Sequence, residues 1–284
     1  MNKIIFLQDF FVEDGIGGGA ELHDQIVIDH FHDKGILDCK KRCSDLTTEF
    51  ILDNLDKFWF ISNFVSLKNH HKALLAKKAK YLIYEHDYKF AKNRNPISFP
   101  DFVVPNRMLY NINFYRSAQK VVCLSKMHRE IFEKNMPLQN YENINCSMWS
   151  DDQLEIFRRL CKTEKNDKFA VIRSTNPIKK TPESIAFCRR NNLQYELISS
   201  KNYLEFMTMM SKYKGLVFMT GHPEPTPRVA IEAKMLNCKF LSQKHLIGVA
   251  HEDYFGLSGE DMINKVRDMR DESLEKLIGW MNEV

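Results

Sequence analysis

Short apolar runs separated by amphipathic stretches set the rhythm of this chain. In the first half the runs fall at residues 4–7, 58–61, 81–84 and 121–124. Each is too short for a buried helix, and a continuous apolar run of that length is the pattern of a strand covered on both faces. Residues 20–31, 65–78 and 106–116 lie between them and carry apolar positions at helical spacing. In the second half strands are predicted at 169–172, 195–198, 216–219 and 239–241. Helices are predicted to start at Thr181-Pro182 and Thr226-Pro227, where a hydroxyl cap precedes a proline at the first helical position. Two further helical segments, near 259–269 and 272–282, close the chain. Strands alternating with helices predict an α/β fold with parallel sheets.

The halves meet around residues 143–150. Ser150 and Gln153 have the spacing of a capping box and open a helix to about Leu160. The boundary is therefore expected near residue 148, dividing the chain into 1–148 and 149–284. The polar run 162–168 reads as a solvated connector. Residues 89–105, with their asparagines and prolines, are the least regular stretch and a candidate mobile loop.

Composition narrows the function. At 44% hydrophobic the chain can bury a sizeable core. The net charge of +4, from 41 basic and 37 acidic residues, does not demand nucleic acid, and it permits anionic ligands or an anionic membrane face. No apolar run is long enough to span a bilayer, and the N-terminus lacks a leader pattern, so a cytoplasmic protein is expected. The seven cysteines (39, 43, 123, 146, 161, 188 and 238) are scattered and are read as reduced packing residues. No Asp-x-Asp stands at a strand end, and no metal is expected.

The most informative segment is Glu224-Pro-Thr-Pro-Arg-Val-Ala-Ile-Glu232. A buried strand precedes it and a helix begins within it, with Thr226 as N-cap. A helix N-terminus at the carboxyl end of a strand offers unpaired N–H groups and a dipole to an anion. Glu224 on the loop and Glu232 in the second helical turn, on the face of Arg228, flank that position. Phosphates at one end and hydroxyls at the other suit such a site, as in a nucleotide sugar. Pro227 supplies no N–H, so the backbone donors would be Arg228 and Val229. Arg173 ends a strand, and Lys179 and Lys180 follow on the next loop, where cations can meet a pyrophosphate. His86 and Asp87 follow the strand at 81–84. Gly15-Ile-Gly-Gly-Gly-Ala20 follows the first strand and also fits G-x-G-x-x-A, although residues 8–14 intervene where a dinucleotide site needs a tight turn.

Taken together these pieces resemble the retaining glycosyltransferases of the GT-B type, family 4 in particular. The loop Gly17, Gly18, Gly19 with Ala20-Glu21, the pair His86-Asp87, Arg173 with Lys179 six residues later, and Glu224 with Glu232 match that family in order. The resemblance selects Lys179 over Lys180. It implies two Rossmann-like domains facing a cleft, the N-terminal one on the acceptor side and the C-terminal one on the nucleotide-sugar side, with the last helix bracing the first domain. It further implies that Glu232 binds the ribose, that Glu224 and His86 contact the transferred sugar, and that Arg173 and Lys179 neutralise the leaving diphosphate without metal. The acceptor would be a saccharide or glycolipid in polysaccharide biosynthesis, with peripheral contact at the inner membrane face. Two other readings stand beside it: a catalytically silent nucleotide-sugar-binding scaffold of the same fold, and an NAD-dependent dehydrogenase using the Gly15–Ala20 loop.

Overall fold

A computed structural model of the protein describes residues 3–15 and 18–283. The chain forms two compact units, Met1–Met148 with Met269–Val284, and Trp149–Asp268.

The first unit is built on β1 (Ile4–Gln8), α1 (Gly19–Asp33), β2 (Leu37–Arg42), α2 (Thr48–Leu52), β3 (Phe58–Ile61), α3 (Asn69–Lys78), β4 (Lys80–Tyr84), α4 (Ile112–Ser117), β5 (Lys120–Cys123), α5 (Lys126–Asn135) and β6 (Tyr141–Asn143). Its six strands are all parallel, in the order β2-β1-β3-β4-β5-β6. The pleat sends alternate residues to opposite faces. Ile5, Leu7, Trp59, Ile61, Tyr81 and Ile83 join one buried cluster, and Ile4, Phe6, Phe58, Phe60, Leu82 and Tyr84 join the other. Both faces are covered, which is why the strands read as unbroken apolar runs. The second cluster also takes Leu274, Leu277, Ile278 and Met281 from the end of the chain, with Val27, Ile28 and Phe31 of α1.

The second unit follows with α6 (Asp151–Leu160), β7 (Asn166–Ile172), α7 (Thr181–Arg190), β8 (Tyr195–Ile198), α8 (Tyr203–Met210), β9 (Tyr213–Val217), α9 (Arg228–Met235) and β10 (Lys239–Leu241). Its four strands are parallel, in the order β10-β9-β7-β8. Gly215 lies where β9 comes closest to its neighbours: a Cβ there would stand 2.6 Å from both the Lys239 carbonyl and the Phe169 ring. The long α10 (Gly259–Asn282) starts in this unit and ends in the other.

Several sequence expectations are corrected. The predicted pair of closing helices is one continuous helix, α10. Thr226 is not the N-cap of α9; Pro227 takes that place, without a side-chain cap. Likewise Lys180, in the left-handed region at φ 44°, caps α7, and Thr181 instead donates to the Ile172 carbonyl and accepts from Ser174 N–H. The strand expected at 216–219 ends at Val217, because Met219 N–H leaves the ladder for the Ser184 hydroxyl. The helix expected over 106–116 is interrupted by Asn111 at φ 59°, leaving α4 and a short 3-10 turn. The helix expected from 65 begins at Asn69. The connector 162–168 is not simply solvated: Lys165 Nζ donates to the carbonyls of Ser211 and Leu236, both at 2.5 Å. The 89–105 stretch is anchored at its start, where Lys89, Phe90 and Ala91 are buried.

Candidate functional site

In the second unit the strand order reverses between β7 and β9. In open parallel sheets ligands bind beyond the carboxyl ends of the strands at such a switch point. Arg173, exposed, directly follows β7, and Lys179 closes the short 3-10 turn after it. Gly221 N–H, on the loop after β9, donates to the Ile178 carbonyl at 2.9 Å and ties the two loops together. Glu224 stands on that second loop. Its N–H donates to the Leu246 carbonyl at 2.7 Å, and its own carbonyl accepts from Gly248 N–H at 2.8 Å. The loop at 244–248 thus holds the backbone of Glu224 on both sides. Its carboxylate is 3.3 Å from Lys179 Nζ and 3.4 Å from the Thr220 hydroxyl. Lys179 also lies over the Phe218 ring, 5.3 Å from its centroid. Lys180 pairs away from this group, with Glu183 at 3.0 Å.

Glu232, one turn into α9, is only 3% exposed. Its Oε1 accepts from the Tyr203 hydroxyl at 2.7 Å and from Trp149 Nε1 at 3.1 Å, with Arg228 Nε 3.5 Å away. The other oxygen, Oε2, makes no hydrogen bond among the described residues and is not sealed from solvent. The Arg228 guanidinium stacks on Trp149 at 4.4 Å and is buried, so the side chain belongs to the packing of α9 while its backbone N–H stays at the helix start. Val229 occupies the next position, and N–H groups in the first turn have no intrahelical partner. Burial, reinforced by Glu232, pushes the Tyr203 hydroxyl above the usual phenol range, so it remains a hydrogen-bond donor.

In the first unit the sheet reverses between β1 and β3. The glycine loop lies after β1. Gly17 falls outside the described residues; Gly18 is the N-cap of α1 in extended backbone, and Gly19 is its first residue. A 3-10 turn at Val12–Asp14 and Gly15, at φ 77°, separate β1 from α1. The tight strand-to-helix turn of a dinucleotide site is absent from this connection.

His86 follows β4. Its Nε2 is 2.7 Å from Asp24 Oδ1, and Asp24 Oδ2 accepts from the Ser62 hydroxyl at 2.5 Å. The backbone N–H groups of His86 and Asp87 both donate to Glu85 Oε1, at 3.1 and 3.0 Å. Glu85 is itself buried and bonded to Lys89 and to the Tyr115 hydroxyl. Burial drives its carboxyl pKa upward, against the opposing pull of Lys89. Lys89 Nζ also reaches Asp87 at 2.9 Å and Asn63 at 3.1 Å. Burial works against the charge on Asp87 too, but Lys89 and Arg94 outweigh it and hold that carboxyl below its ordinary range.

No protein-family model matches the sequence, and no curated protein matches it. Solved structures do. Anabaena HepE, in complex with UDP and glucose, is similar over 95% of this chain and 89% of its own, with a TM-score of 0.53 and 13% identity. Sucrose-phosphate synthase from Thermosynechococcus elongatus is similar over 99% of this chain and 98% of its own, with a TM-score of 0.58 and 10% identity. Both structures have the GT-B fold. This chain has the GT-B fold.

On that GT-B framework the residues singled out from sequence fall into two groups. Arg173, Lys179, Glu224, Arg228, Val229 and Glu232 all belong to the loops and helix starts above the second sheet; His86, Gly18 and Gly19 belong to the first unit. Sequence reasoning missed the partners that hold them. Trp149 and Tyr203 carry no motif, and they come from chain positions far from Glu232. Asp24 sits at helical spacing on α1 and looks like an ordinary surface acid. Lys89 lay within a stretch read as irregular; its spacing of four from Glu85 was the available signal. Among the described residues no group of three or more His, Cys, Asp or Glu side chains is placed to hold a metal ion, and no helix is long and apolar enough to cross a membrane. None of the seven cysteines forms a disulfide.

Proposed function

We propose that the protein is a retaining glycosyltransferase of the family 4 kind, moving a sugar from a nucleotide-sugar donor to a saccharide or glycolipid acceptor. The observation that carries this reading is the arrangement at the β7–β9 switch point. Lys179 and Glu224 meet at 3.3 Å on two tied loops. Beside them Glu232 keeps one carboxylate oxygen engaged and the other open. In this reading the open Oε2 accepts hydrogen bonds from the ribose. The N–H groups of Arg228 and Val229, at the start of α9, meet phosphate oxygens, where the helix dipole favours negative charge. Arg173 and Lys179 neutralise the leaving diphosphate, so transfer needs no metal. Glu224 contacts the transferred sugar; the ion pair with Lys179 sets its orientation before substrate arrives. The second unit is the nucleotide-sugar side and the first the acceptor side, contributing His86 and the Gly17–Gly19 loop. Retention follows from attack on the face that the leaving phosphate vacates, with that phosphate assisting. The protein works in the cytoplasm on polysaccharide assembly, in peripheral contact with the membrane face that carries its acceptor. The complex of HepE with UDP and glucose supports the choice of ligand class.

Pro227 at the N-cap removes one backbone donor, which favours a second reading: a silent nucleotide-sugar binder of the same fold. A thermal-shift screen with UDP, GDP, ADP, CMP and NAD tests the site. A shift with one nucleoside mono- or diphosphate, lost in Glu232→Ala, is expected. A shift with NAD alone would replace this reading with the dehydrogenase. Turnover of the matching nucleotide sugar separates the enzyme from the silent binder.

A further inference from the structure

The imidazole of His86 is held on all but one side. Its Nε2 lies 2.7 Å from Asp24 Oδ1. Its ring meets His23 edge-on at 5.2 Å and Tyr84 at 5.4 Å, and the two planes are steeply inclined to its own at 81° and 75°. Those neighbours are fixed in turn, since His23 Nε2 and the Tyr84 hydroxyl are hydrogen-bonded at 2.5 Å. The backbone of His86 is pinned through its N–H to Glu85. Nδ1 is the exception. It makes no hydrogen bond among the described residues and is not sealed from solvent.

The Asp24 carboxylate is fully buried, so each of its oxygens needs a hydrogen-bond donor. The Ser62 hydroxyl serves Oδ2 at 2.5 Å. Oδ1 is left to His86. Were Nε2 unprotonated, its lone pair would face a carboxylate oxygen at 2.7 Å, a repulsive contact in a buried site. The proton must therefore sit on Nε2. In the neutral ring Nδ1 is then an acceptor.

We propose that Asp24 is the positioning residue for His86: its buried carboxylate fixes the Nε2–H tautomer, so that Nδ1 accepts a hydrogen bond from a sugar hydroxyl. The second half of this statement rests on the sugar-transfer reading above; the first half does not. Asp24 and Ser62 touch neither sugar nor nucleotide in this scheme and act only through the ring. The arrangement joins α1, the helix that opens at the glycine loop, to the loop after β4, so the two sequence features of the first unit are linked through one side chain.

Long-range proton–nitrogen NMR of the imidazoles in 15N-labelled protein, above neutral pH and without ligand, reads the tautomer directly. His86 is expected in the Nε2–H form. Asp24→Asn presents a carboxamide whose N–H can donate to Nε2, and the ring is expected to shift toward Nδ1–H. A wild-type ring in the Nδ1–H form overturns the proposal. So does a wild-type ring state in Asp24→Asn, whatever its rate. The wild-type spectrum decides the first half even if the variant does not fold. In a nucleotide-sugar turnover assay, Asp24→Asn should lose about tenfold or more in kcat with KM little changed, as expected when a ring is held in the wrong tautomer. A shifted tautomer with wild-type kcat overturns the catalytic half. Absence of turnover by the wild-type protein with every nucleotide sugar refutes the sugar-transfer reading, and the ring spectrum still decides the Asp24–His86 arrangement.

Discussion

At the scale of single residues, the chain uses burial to decide which atom of a polar group is free. Glu232 gives Oε1 to Tyr203 and Trp149 and leaves Oε2 open. Replacing it with Gln keeps the shape and removes the charge. Hydrogen bonds to charged groups contribute about 1.5–3 kcal/mol, so Glu232→Gln should weaken nucleotide binding by roughly ten- to a hundredfold in a calorimetric titration. Unchanged affinity would remove the ribose role. His128 shows the same principle in the first unit. Its Nδ1 accepts from Leu124 N–H at 3.2 Å and its Nε2 lies 2.9 Å from the Asp87 carbonyl, so a second proton has no place. Burial depresses its pKa from 6.5 to about 3. Because the folded pKa is depressed, the unfolded chain binds more protons between those values. Stability from this group is complete above pH 6.5 and is lost as pH falls toward 3. His128→Gln should flatten the fall of melting temperature with pH across that window, and an unchanged slope would contradict the assignment.

At the scale of elements, the loop after β4 is held by ions and β1, β3 and β4 by apolar packing. Lys89 is 2% exposed and is the cation shared by Glu85 and Asp87. Removing one partner of a buried pair leaves an uncompensated charge, at a cost of about 3–5 kcal/mol. Lys89→Met should show that loss in urea unfolding, and adding Glu85→Gln should recover part of it. A fully additive double variant would mean that the two side chains are not coupled. This loop also shows where sequence reading reached its limit. The strands buried on both faces were legible because apolar runs such as Phe58–Ile61 have no polar break. The edge strand β2, Leu37–Arg42, was not, because its charged residues lie exposed or half exposed at the end of the sheet and give no apolar signal. Helix starts failed for a related reason: a hydroxyl-proline pair marks a turn, but the bonds of Thr181 to Ile172 and Ser174 decide that it serves the loop instead of capping the helix.

At the scale of the whole molecule, the alternation of strands and helices was enough to anticipate the α/β class, and the ordered motifs pointed to the GT-B type. The continuity of α10 was not legible, since Asp268, Asp271 and Glu272 look like a polar break between two helical segments. Helix geometry resolves it: these acids face outward while Leu274, Leu277, Ile278 and Met281 return to the first unit's core. Leu277 is fully buried there. Leu277→Ala should destabilise the first unit by about 2–5 kcal/mol in urea unfolding, the usual cost of a buried leucine cavity. A loss below about 1 kcal/mol would mean that the end of the chain does not support that core. The partners of the candidate site were illegible for a different reason. Trp149, Tyr203 and Glu232 are distant in sequence and meet only through the packing of the second unit.

Release of nucleoside diphosphate from a panel of nucleotide sugars, in the presence and absence of added saccharide, tests the central claim most directly. Wild-type protein should release one nucleoside diphosphate from its matching sugar. Glu224→Gln should keep nucleotide binding and lose that release. Release by neither protein, or equal release by both, would contradict the assignment of transfer chemistry to Glu224 at the β7–β9 switch point.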